Sequence, residues 1–248
     1  MITLYDRDGH KNVMFHDFGS GQMVQANQHI IVDNHRGMIL DPGGHKVYSS
    51  LFAALASVVP PHNLDVLFFS HQDPDIVAAA NGWLMVTDAI AYASVLWMRF
   101  IPHFGVDELV VERIKPVPDE GMTVGLGNCK LAIVPGHFLH SPGNFQLYDP
   151  ISKILYTGDL GASLGQDYVF VDNFDDHIRY MEPFHRRYMA SGKAMKAWAR
   201  MARTLDISII APQHGAVFRS QHVPRFIEWV EGLACGVDLM PEQYAVPG

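Results

Sequence analysis

Ser70-His71-Gln72-Asp73-Pro74-Asp75-Ile76 places one imidazole and two carboxylates within five residues, where an apolar run ends and a helix is expected to begin. Alternation at 71, 73 and 75 lets an extended segment project three donor side chains to one side, and Pro74 biases Asp73 toward that conformation. Such a trio suits a metal ion. It equally suits a helix N-cap, with Asp73 or Asp75 accepting from the first free N–H groups. Three later segments share the pattern of a polar donor beside Gly or Pro after an apolar β run. They are Pro135-Gly136-His137-Phe138-Leu139-His140-Ser141-Pro142-Gly143-Asn144, Tyr156-Thr157-Gly158-Asp159-Leu160 and Ala211-Pro212-Gln213-His214-Gly215. Counting one of His137 and His140, the four loops offer three imidazoles and three carboxylates, a donor mixture that suits iron, manganese or zinc and leaves soft thiolate ligation out.

The surrounding elements must bring these loops together. His29–Val32 and Gly37–Leu40 read as a hairpin closed by the four residues Asp33–Arg36. Val47–Val59 has helical spacing and stops at Pro60-Pro61, and Asp65–Phe69 is a continuous apolar run, as in a strand covered on both faces. A buried helix is expected over Ile76–Phe100, then strands at Glu108–Val111, Met122–Leu126, Lys130–Val134, Phe145–Tyr148 and Ile154–Thr157. A helical segment begins near Glu182-Pro183 and reaches Thr204, followed by a strand at Ile207–Ile210 and a helix over Val223–Ala234. Two strand blocks, each with helices outside, predict an α/β sandwich of two mixed sheets flanked by helices. No repeat or linker divides the chain, so residues 1–248 are expected to form a single domain.

Composition narrows the function. With 18 basic and 26 acidic residues the formal charge is −8, and no basic tract offers a nucleic-acid surface. Cys129 and Cys235 form no CxxC pair, which excludes a thiolate metal knot and a disulfide scaffold. The first residues, MITLYDRDGHKN, lack a signal-peptide pattern. Asn81 and Asp88 interrupt the one apolar stretch long enough to span a bilayer. The expected location is cytoplasmic, away from membranes.

The order HxDxD, HSPG, TGD, QHG resembles the metallo-β-lactamase fold over essentially the whole chain. Within that superfamily the carboxylate at position 73 is similar to the di-iron domain of flavodiiron proteins, which carry HxExDH. Without a flavodoxin module, the chain most resembles the stand-alone oxygen-binding di-iron proteins of this fold. By position, the resemblance implies that His71, Asp73 and His140 bind one iron, Asp75 and His214 the other, and that Asp159 bridges both. His140 is favoured over His137 because it directly precedes Ser-Pro-Gly. Ile76 stands where the flavodiiron motif has His, so the second ion is expected to be one protein ligand short, with a drier open position.

The implied function is a non-haem di-iron protein that binds O2, in oxygen sensing or handling. One alternative is an O2 or NO reductase fed by a separate flavoprotein donor. Another is a di-zinc hydrolase, and zinc and manganese are substitutes the donors accept. A separate electron donor or signalling protein and a homodimer, with the Ile76–Ile101 helix at its interface, complete the expectation.

Overall fold

A computed structural model describes residues 1–16, 18–19, 21 and 23–246. Its first sheet contains β1 (Ile2–Arg7), β2 (His10–His16), β3 (Asn27–Asp33), β4 (Arg36–Leu40), β5 (Leu64–Phe68), β6 (Ile90–Ser94) and β7 (Ile114–Val117), in that spatial order. The first four strands are antiparallel and the last three continue parallel from β4. Parallel neighbours need crossovers, and α1 (His45–Ala56), α2 (Pro74–Val77), α3 (Ala80–Val86) and α4 (Glu108–Val111) lie within them.

The second sheet runs β13-β12-β11-β10-β9-β8, from β8 (Met122–Leu126), β9 (Cys129–Pro135), β10 (Phe145–Asp149), β11 (Ile154–Tyr156), β12 (Ile209–Ala211) and β13 (Phe218–Arg219). Helices α5 (Phe174–Tyr188), α6 (Gly192–Ala202) and α7 (Val223–Gly232) accompany it. No described helix is long and apolar enough to cross a membrane.

Strand alternation divides the apolar residues between layers. Ile31, Met38, Leu40, Val66 and Phe68 of the first sheet join Leu131, Ile133, Leu147 and Tyr156 of the second in one cluster. Their neighbours Ile30, Ile39 and Leu67 turn the other way and pack with Leu51, Leu55 and Trp83 of the helices. This two-sided burial explains the unbroken apolar runs of β3 to β5.

Several expected elements take another form. The hairpin connection is only Asn34-His35, both at positive φ (47° and 67°), as the type I′ turn requires. The helix expected over Ile76–Phe100 is α2, α3 and then β6. Helix α3 gives way at Thr87, which is extended and whose hydroxyl donates to Trp83 O at 2.8 Å. Strand β6 then buries Ala91 and Ala93 between β5 and β7.

Glu108–Val111 is a helical turn rather than a strand. Asp107 accepts the Leu109 N–H at 2.8 Å and caps it, and the strand follows at β7. The segment expected to run from Glu182 to Thr204 is two helices. Asn173 caps α5, Pro183 lies inside it, and Ser191 starts α6.

Candidate metal centre

The four polar loops follow the C-terminal ends of β5, β9, β11 and β12, and all meet at one edge of the sandwich. Backbone bonds tie them together. Phe145 N donates to Ser70 O at 2.9 Å, Gln213 N to Gly158 O at 2.8 Å, and Ser163 N to His214 O at 3.3 Å. Two glycines permit this closeness. At Gly158 (φ +56°) a Cβ would lie 3.2 Å from Ser70 Oγ, and at Gly215 (φ +83°) one would strike Ser163.

At the junction the six side chains converge. Asp159 is central: Oδ2 lies 3.1 Å from His140 Nε2, and Oδ1 lies 3.5 Å from His214 Nε2 and 3.8 Å from His71 Nε2. Asp73 Oδ2 is 3.4 Å from His140 Nε2 and 3.6 Å from His71 Nε2, while Asp75 Oδ2 is 3.4 Å from His214 Nε2. Two donors on one ion, each about 2.1 Å from it, are roughly 3.0–3.4 Å apart. The spacings therefore sort into His71, Asp73 and His140 on one side and Asp75 and His214 on the other, with Asp159 between them. The first three offer donor atoms all within 4.8 Å of one another.

Asp73 precedes α2 in extended conformation, but its side chain makes no capping bond. The carboxylate is thus left for the cluster. His137 faces elsewhere, with Nε2 donating to Asp119 O at 2.8 Å and its ring against Phe145.

The imidazoles are oriented from behind. His214 Nδ1–H donates to Gln25 O at 2.7 Å, which fixes the tautomer and turns the Nε2 lone pair inward. His71 Nδ1 lies 3.0 Å from Ser70 Oγ, and Asp41 accepts the Ser70 N–H at 2.8 Å. The His140 ring stands edge-on to Tyr188 and Phe184. His185 supports the bridging loop, since its Nε2 accepts the Gly161 N–H at 2.8 Å. Gln25 acts through a main-chain carbonyl, which no residue type announces. His185 looks in sequence like an ordinary helical histidine.

Three carboxylates meeting at one junction, Asp159 among them buried, demand positive charge. Burial favours protonated Asp159, yet His71, His140 and His214 outweigh it and hold the carboxyl down at about 2. Burial disfavours the His140 imidazolium, but Asp159 and Asp73 lift it to about 10. His71 is raised against burial by Asp159 and Asp73. Asp159 Oδ1 is buried without a hydrogen-bond partner among the described residues. A buried carboxylate oxygen left with lone pairs, ringed by imidazole nitrogens and two further carboxylates, fits two divalent cations better than any arrangement of protons. Asp75, with its side chain 46% exposed, leaves the cluster open to solvent on its side.

A second grouping, His10, Asp33 and Cys129, lies at the opposite edge. Both ring nitrogens of His10 are taken by carboxylates, Asp33 at 2.9 Å and Asp149 at 2.7 Å, so it is an inter-sheet ion cluster.

The model of the ODP family beta lactamases matches residues 24–215, a stretch that includes all six converging side chains. The chain belongs to the ODP family. The chemotaxis sensor ODP is 40% identical, with a TM-score of 0.87, over 96% of this chain and 96–97% of that one. It has been solved in an apo state, from T. denticola, and as a peroxy diiron species. Rubredoxin oxygen:oxidoreductase of Desulfovibrio gigas shares the fold, with a TM-score of 0.76 and 19% identity over 93% of this chain and 62% of that one. Diflavin flavoprotein A 1 of Synechocystis sp. is 24% identical over 84% of this chain and 36% of its own length. The chain spans about half or less of the curated relatives it matches. The observed sandwich of two mixed sheets with outer helices is the metallo-β-lactamase-like fold expected from the sequence.

Proposed function

We propose that this protein is a non-haem di-iron protein that binds O2 and serves oxygen sensing. The observation that carries the reading is the buried Asp159 carboxylate, with one oxygen unpartnered, at the meeting point of His71, His140 and His214. In this reading His71, Asp73 and His140 hold one ion, Asp75 and His214 the other, and Asp159 both. A pair of ferrous ions supplies two electrons and a binding face for a diatomic gas.

The chain's own groups prepare that centre. Gln25 and Ser70 fix the imidazoles, His185 and Gly158 shape the Asp159 loop, and the three carboxylates offset most of the charge of two divalent ions. The 40%-identical chemotaxis sensor and its peroxy diiron species support the gas and the sensory role. The unit is read as one metal-binding domain that works with a separate electron donor or signalling protein, as a homodimer and in the cytoplasm, with NO as a competing gas.

Expression and purification without oxygen test the reading. About two iron ions per chain and a visible band that appears on admitting O2 are expected. Zinc with hydrolytic turnover, or no metal at all, would overturn it.

A further inference from the structure

The two ion positions are unequally served. His71, Asp73, His140 and Asp159 surround the first, whereas among the described residues the His and carboxylate donors facing the second are Asp75, His214 and Asp159. Ile76, next in sequence, supplies nothing polar: it is fully buried and belongs to the apolar cluster with Leu51, Phe69 and Trp83. The neighbouring polar group is Gln213. The residue is 1% exposed, its Nε2 donates to Asp75 Oδ2 at 3.3 Å, and its Oε1 is buried with no partner among the described residues.

An amide buried that deeply ordinarily satisfies its oxygen, so the orphaned Oε1 of an amide whose N–H reaches Asp75 calls for a partner. The main chain pins the residue in place. Gln213 N donates to Gly158 O at 2.8 Å, and Gln213 O accepts from Asn27 N at 2.5 Å.

We infer that Gln213 completes the second ion position, with Oε1 as the fourth protein donor and Nε2 steadying Asp75. This rests on the dinuclear reading above. A neutral amide oxygen is a weaker donor than an imidazole. The second ion is thereby held more loosely than the first, on the solvent-facing side of the cluster.

Cobalt(II) titration of metal-free protein tests this, with calorimetry reporting stoichiometry and affinity and the visible d–d bands reporting coordination number. Wild type is expected to take two ions per chain. Gln213→Leu should keep the first ion unchanged, weaken the second at least tenfold and alter only the second ion's bands. Gln213→Asn, which keeps the amide but shortens its reach by one methylene, should weaken the second ion likewise, and thermal melts of the metal-free proteins establish that each variant is folded. Gln213→Glu should restore or tighten the second ion. If the residue only steadied Asp75 through its N–H, Gln213→Glu would instead repel that carboxylate and weaken the ion, which overturns the inference. Unchanged binding and bands in folded Gln213→Leu overturn it too, while two ions in wild type leave the dinuclear reading standing. Fewer than two ions in wild type would overturn both.

Discussion

His185 accepts the Gly161 N–H at 2.8 Å, and through this bond α5 reaches the turn that carries Asp159. The other ring nitrogen, Nδ1–H, donates to Met181 O at 2.8 Å, so the bonding pattern needs a neutral ring. Burial agrees, pushing its pKa down to about 4. Below pH 6.5 the unfolded chain protonates this ring while the folded one resists until about 4. The stabilisation is therefore complete above 6.5 and is lost as pH falls toward 4, by about 1.4 kcal/mol per pH unit. Urea denaturation of metal-free protein between pH 6.5 and 4.5 should show His185→Gln with a slope shallower by about one proton. An unchanged slope contradicts the neutral-ring assignment.

At the far edge, His10 clasps the two sheets between Asp33 and Asp149, and Asn12 adds a bond to Asp149 at 2.8 Å. Burial opposes the imidazolium, but the aspartates raise it to about 10. This stabilisation is fully present below about pH 6.5 and is lost as pH rises through 10. His10→Ala leaves a buried carboxylate uncompensated and should cost about 3–5 kcal/mol. Metal content should stay at the wild-type value, because the clasp lies across the sandwich from the ion cluster. Chemical denaturation and metal analysis of the same sample check both halves.

The four donor loops were legible because each couples an apolar β run, a Gly or Pro and a titratable side chain. Those are the ingredients of a sharp turn that exposes a donor at a strand end. Strand β6 was not legible, since Ile90–Ser94 continues an apolar stretch in which a buried strand and a buried helix look alike. Asp107 ahead of Glu108 was a readable cap, and it marks a helical turn where local β propensity suggested a strand. The supporting groups escape sequence reading for different reasons. Gln25 contributes its backbone carbonyl, and the Oε1 of Gln213 becomes conspicuous only once its burial is known.

Asp159→Ala removes the carboxylate shared by all three imidazoles. Metal analysis is expected to show fewer than two ions per chain, with the oxygen-dependent band abolished. Asp159→Asn keeps the volume and one oxygen, and separates loss of charge from loss of packing. Retention of both ions and of the band in Asp159→Ala would refute the bridging role.

Ile76→His pits burial against coordination. In metal-free protein a buried imidazole without a hydrogen-bond partner should cost about 1–3 kcal/mol relative to the isoleucine it replaces. If position 76 can reach the second ion, divalent metal should raise the melting temperature of the variant by more than it raises that of wild type. A ligand that binds only the folded state adds stability in proportion to the logarithm of its excess over Kd, and an imidazole is a stronger donor than the Gln213 amide. The same substitution closes the second ion toward small ligands, so the oxygen-dependent band should weaken. Equal metal-induced increments in the two proteins, with the band unchanged, would place position 76 wholly within the helical layer and leave the second ion to Asp75, His214, Asp159 and Gln213.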